Sequence, residues 1–179
     1  MQPKRYVQEP AREFKGAFLP DDVYSQVLDS FVIVCTDFVA INRARRTFYL
    51  PKREIQASKG IWRFGGRQKA GETKQGSCAR LAKRELKLDI EPNRFEYVTT
   101  TEDLWSYRHQ EPKNAGVHDD IHVFVIELTT AELKQAADSL DPGEYDLSFK
   151  IQEFDRERLI REQVYPQVID LYDIVFPSR

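Results

Sequence analysis

An α/β sandwich, with a mixed β-sheet between helices, is the fold class this sequence predicts, and three observations predict it. Residues 31–41, F-V-I-V-C-T-D-F-V-A-I, are too continuously apolar for a strand wet on one face and fit a strand covered on both. A second apolar run, Val123-Phe124-Val125-Ile126, reads the same way. Between them Cys78, Leu81, Glu85 and Leu88 recur at i, i+3, i+7 and i+10, one stripe of a helix lying on a core. Strands that alternate with helices build layered α/β structures.

The totals set bounds. With 179 residues, 41% hydrophobic and 12% aromatic, the chain can bury one substantial core, and one domain over residues 1–179 is expected. A net charge of −2 argues against a general nucleic-acid or membrane-surface binder. Cys35 and Cys78 lie far apart in apolar neighbourhoods and read as buried, reduced thiols of a cytoplasmic protein. The first residues show no apolar signal-peptide core, and no run reaches membrane-spanning length.

In chain order, residues 1–17 are charged and proline-punctuated and read as an N-terminal arm, with Phe14, Phe18 and Leu19 able to dock on a surface. Pro20-Asp21-Asp22 opens a short helix that ends at Ser30, since acids favour the first turn. Asp37 interrupts the buried strand, so it must be protonated, hydrogen-bonded or bound to a cation; a structural carboxylate satisfied by an arginine is the competing reading. Residues 42–46 form a hairpin connection to the strand 47–50. Residues 62–73 read as a loop, in which Gly65-Gly66 and Gly71 give backbone freedom while Arg67 and Lys69 place positive charge for an anion. Glu85 stands on the apolar face of the following helix, where a carboxylate needs a partner.

Residues 96–102 form a β-branched strand, and 103–120 an irregular binding segment with Trp105, Tyr107, Arg108 and His109. His118, Asp119, Asp120 and His122 have the look of a metal cluster but directly precede a strand and read as its polar entrance. A helix begins at Thr130, a turn falls at Asp141-Pro142-Gly143, and a strand is expected over 149–154. Asp155 caps a helix to Ile160, and Pro166 begins the last one.

Gly66, then Glu72, Arg80, and Glu85 followed by Leu86 and Leu88, at these spacings, resemble the Nudix box, a loop-helix that binds a divalent cation and a nucleoside-linked diphosphate. Leu81, Arg84 and Lys87 stand where the full box has two further glutamates and a glycine. Within that family the chain is similar to the GDP-mannose mannosyl hydrolases, whose helix also lacks the first of those glutamates. The resemblance implies a Nudix-like α/β/α sandwich and a Glu72–Arg80 buttress. It also implies a Mg²⁺ shared by Asp37 and Glu85, a diphosphate held by Arg53 and Arg67, and a homodimer. The implied activity is hydrolysis of a nucleotide sugar to sugar and nucleoside diphosphate. Alternatives are a diphosphohydrolase cutting between phosphorus atoms and an inactive nucleotide-binding domain. The histidine base of the mannosyl hydrolases has no counterpart in 141–149, where Glu144 and Asp146 are the candidate bases.

Overall fold

The structure is a computed structural model and describes residues 4–7, 14 and 16–178. The expected arm over 1–17 lies largely outside the described residues.

Helix α1 spans Asp21–Ser30 and is followed by the long strand β1, Ile33–Asn42. Strands β2 (Thr47–Leu50), β3 (Lys52–Arg53), β4 (Gly60–Ile61) and β5 (Phe64–Arg67) precede helix α2, Lys74–Leu86. Strands β6 (Glu96–Trp105) and β7 (Val117–Ile126) lead to helix α3, Thr130–Asp138. Strand β8 (Gln152–Phe154) and helices α4 (Arg156–Arg161) and α5 (Pro166–Val175) complete the order. The main sheet runs β6-β7-β1-β2-β8, with β7 parallel to β1 and the other pairs antiparallel. The outer edge of β1 changes partner at Val39: residues 35–38 pair with β5 and residues 40–42 with β2.

Two cores cover the two faces of this mixed sheet. Ile33, Cys35, Val39 and Ile41 pack on one side with Leu28 of α1, Leu159 of α4 and Leu171 of α5. Phe38 and Ala40 pack on the other with Leu81 and Leu86 of α2 and Ala136 of α3. The expected α/β/α sandwich is what forms, because the doubly apolar strand must be covered twice. Among the described residues no helix is long and apolar enough to cross a membrane.

Three element readings are corrected. Residues 64–67 are strand rather than loop, and Gly65 is needed there for room: a Cβ would stand 2.0 Å from Asp37 Oδ1, directly across the ladder. The irregular stretch after the β-branched strand is shorter than 103–120, because Asp103, Leu104 and Trp105 pair with Asp119, His118 and Val117. That pairing is long-range and leaves no periodic apolar mark on such polar residues. The late strand contracts to Gln152–Phe154, since Asp146 folds residues 148 and 149 back through its carboxylate.

Helix α2 ends on Lys87 in the left-handed conformation, φ +54°, with its N–H on the Ala82 carbonyl. A side chain is strained in that cap and glycine is not. Lys87→Gly is therefore expected to raise stability by about 0.5–1 kcal/mol, measured by urea unfolding.

Candidate functional site

A cleft of ≈ 530 Å³ opens beside β1 and β5 and carries both the glycine pair and the expected arginines. Arg53, on the short ribbon β3, donates from Nη1 to Ser58 Oγ at 3.1 Å and stands 3.6 Å from Glu144. Its buried Nε has no acceptor among the described residues. Arg67, at the end of β5, lays its guanidinium 3.8 Å from the ring centre of Tyr24 and lines the same cleft. The structure thus brings Arg53 and Arg67 to one cavity. The near end of α2 is braced as the resemblance implies, with Arg80 donating to both Glu72 oxygens, at 2.5 and 3.0 Å, and to the Arg67 carbonyl at 2.9 Å.

Asp37 and Glu85 are not brought together. Asp37 belongs to the odd series of β1 that faces the α1–α5 core, while Thr36 on the other face bonds Ser77 of α2 at 2.8 Å. Asp37 is buried against Arg63, whose Nε donates to Oδ2 at 3.2 Å, and Arg63 in turn stands 3.8 Å from Asp103. The Arg63 side chain is 0% exposed and lies 4.2 Å from the Trp62 ring centre. Burial raises the Asp37 and Asp103 carboxyls above their ordinary range, and Arg63 pulls both back. Of the readings open for Asp37, the arginine-satisfied carboxylate describes its place.

Glu85 is 0% exposed. Arg84 Nη2 donates to its Oε1 at 2.6 Å, and the Tyr145 hydroxyl donates to Oε2. Burial pushes its carboxyl up to about 7 against the pull of Arg84. Each of the two expected Mg²⁺ ligands is therefore already neutralised by a guanidinium, and among the described residues no three His, Cys, Asp or Glu side chains gather where they could hold a metal ion. As arranged, this donor set does not fit a shared Mg²⁺.

The candidate bases separate. Glu144 lines the cleft, 3.2 Å from Arg84, and among the described residues its buried Oε2 accepts no hydrogen bond. Asp146 points to Lys52 at 3.1 Å and accepts from Ser148, which hold its carboxyl down at about 2. His118 and His122 pair with Glu102 and Thr100 on the face of β7 away from Asp119.

The structure gives three residues a place that the sequence does not suggest. Asp119 lines the cleft beside Cys35 and Trp105, and burial, then the charge of Asp37, push its carboxyl up to about 6. Its signal was the alternation of 117–123, which sets Asp119 with Ile121 and Val123 on the core face. Arg63 was legible as a lone cation between Trp62 and Phe64. In the sequence Arg84 stands as a lost glutamate; in the fold it is a gained positive charge beside Glu85.

No family model and no curated protein sequence matches this chain. Solved structures do match in shape. A NUDIX hydrolase from Nitrosomonas europaea aligns with TM-score 0.59 at 12% identity, over 81% of this chain and 88% of that one. A MutT NUDIX hydrolase from Burkholderia pseudomallei gives 0.58 at 12% identity, over 83% and 100%. A UDP-X diphosphatase gives 0.51 at 12% identity, over 91% and 74%. At such identities the likeness is one of architecture, and the conclusion it carries is that this chain has the fold of the Nudix hydrolases.

Proposed function

We propose that this chain hydrolyses a nucleotide sugar, releasing the sugar and a nucleoside diphosphate. The observation that carries the reading is the polarity of the cleft: Arg53 and Arg67 stand on the same cavity as a half-buried carboxylate, Asp119, with Trp62 and Trp105 also on its wall. Arginine forks suit a diphosphate, and the half-buried Trp105 ring suits a sugar or base. Water would attack the anomeric carbon and give its proton to Asp119. The carbon–oxygen bond to the diphosphate would break, and the charge left on the departing group would fall to Arg53 and Arg67. Glu144 remains in this proposal as a cleft acid on the phosphate side, because two arginines adjoin it. Resemblance to the mannosyl hydrolases makes GDP-mannose the first substrate to assay. The UDP-X diphosphatase fold likeness puts UDP-sugars beside it.

Turnover in ¹⁸O-water tests the reading. Label in the released sugar supports attack at carbon, label on phosphate favours the diphosphohydrolase, and no turnover of any nucleotide sugar favours the binding domain. If Asp119 is the base, kcat should rise with pH through about 6, since the carboxyl must lose its proton to accept another. Asp119→Asn should lower kcat by about 10²–10⁴-fold and leave nucleoside diphosphate affinity unchanged. A full rate in that variant sinks the assignment.

A further inference from the structure

The box helix carries an arginine where the resembling family has a carboxylate, and its position is informative. Arg84 Nη2 lies 2.6 Å from Glu85 Oε1 and 3.2 Å from Glu144 Oε1. It also lies against the glycine pair of the cleft, where a Cβ on Gly66 would stand 3.7 Å from the same nitrogen. Arg53 closes the group from the far side, 3.6 Å from Glu144, and Tyr145 caps the remaining Glu85 oxygen. Two guanidinium charges thus face two carboxylates. A divalent cation entering this group would meet the like charges of Arg84 and Arg53, which already face the two carboxylates, and Leu81 adds only an apolar surface.

We infer that Arg84 takes the place of a divalent cation, so that the nucleoside diphosphate binds this chain without a metal, on Arg53, Arg67 and Arg84. The inference rests on the phosphate reading above. Arg84 suits the role because it is anchored and reachable at once: Glu85, at its root, is fully buried, whereas the Arg84 side chain is 44% exposed toward the cleft. A guanidinium keeps its charge at any physiological pH and pairs two phosphate oxygens in one plane. Arg53 contributes a buried Nε with no acceptor among the described residues, a donor that a phosphate oxygen would satisfy. The cost is a competitor. Glu144 already sits between Arg53 and Arg84, and an incoming phosphate must share or displace it.

Calorimetric titration of the full chain with GDP and with UDP, once in EDTA and once in millimolar MgCl₂, tests the inference. For at least one of the two nucleotides, Kd in EDTA should lie within about twofold of that in Mg²⁺. Arg84→Gln should weaken binding in EDTA by about tenfold or more, the loss of a charge-assisted hydrogen bond. Binding that vanishes in EDTA and returns with Mg²⁺ would overturn the inference while leaving the phosphate reading intact. No binding of either nucleotide in either condition overturns the phosphate reading, and this inference with it. A second readout needs no nucleotide: the electron paramagnetic resonance signal of free Mn²⁺ should be untouched by the parent and reduced by Arg84→Glu, which restores an acid beside Glu85. Saturable Mn²⁺ uptake by the parent would count against the inference, as would an Arg84→Gln variant that binds as tightly as the parent in EDTA.

Discussion

Replacing Arg63 with alanine is expected to destabilise the fold by about 3–5 kcal/mol, because it strands two buried carboxylates, Asp37 and Asp103, without their shared cation. The guanidinium is fully enclosed, so water cannot take its place without opening the α1–α5 side of the sheet. Urea unfolding at neutral and acidic pH gives the measurement and its mechanism together. Both carboxyls titrate above their ordinary range in the fold, so the folded state binds protons more readily than the unfolded chain. Stability held by their neutral forms is present at low pH and lost as pH rises through the folded pKa. The deficit of Arg63→Ala should accordingly shrink on acidification. A deficit that is small, or the same at both pH values, would show that the three side chains do not act as a unit. Joint replacement of Asp37 and Asp103 by asparagine with Arg63→Met should recover most of the loss.

Arg53→Ala is expected to weaken nucleoside diphosphate binding by about 1.5–3 kcal/mol, the range for hydrogen bonds to charged groups, while the thermal midpoint moves little. The reason is its position on a two-stranded ribbon outside the main sheet, whose pairing it does not enter. Arg67→Ala should weaken binding similarly, but it also removes the stack on Tyr24 that ties α1 to the cleft, so Arg67→Lys is the cleaner companion. Titration with the nucleoside diphosphate alone is the assay. If both arginine variants bind as the parent does, the phosphate site lies elsewhere.

What the sequence disclosed about this fold followed from local regularity. The doubly apolar run announced the central strand, the helical stripe announced α2, and Asp155 announced the cap of α4, where it accepts from the Arg158 amide at 2.8 Å. What it hid depended on partners distant in the chain. Gly65 reads as loop freedom until Asp37 is seen opposite it, and Asp103 reads as a loop acid until Asp119 pairs with it. The same holds for the site. Spacing brought Arg53 and Arg67 to one cavity, since both lie near the box. It did not show that strand alternation turns Asp37 away from α2, nor that Arg84 folds back over Glu85.

The parallel pairing of β1 with β7 also bears on how the molecule acquires its shape. Ile33 aligns with Asp119 and Ala40 with Ile126, so the centre of the sheet closes only when a strand from late in the chain returns to one made early. Contacts of such sequence separation carry a large loop-closure entropy before they give anything back, and topologies dominated by them fold slowly. During synthesis, β1 emerges well before the strand that covers its inner edge, leaving a ten-residue apolar ribbon open to pairing with other chains. The nearby strands β2 and β5 can cover residues 40–42 and 35–38 in the interim, but only along the outer edge. The segment that specifies this architecture most clearly is thus also the one most exposed to mispairing while the chain is still incomplete.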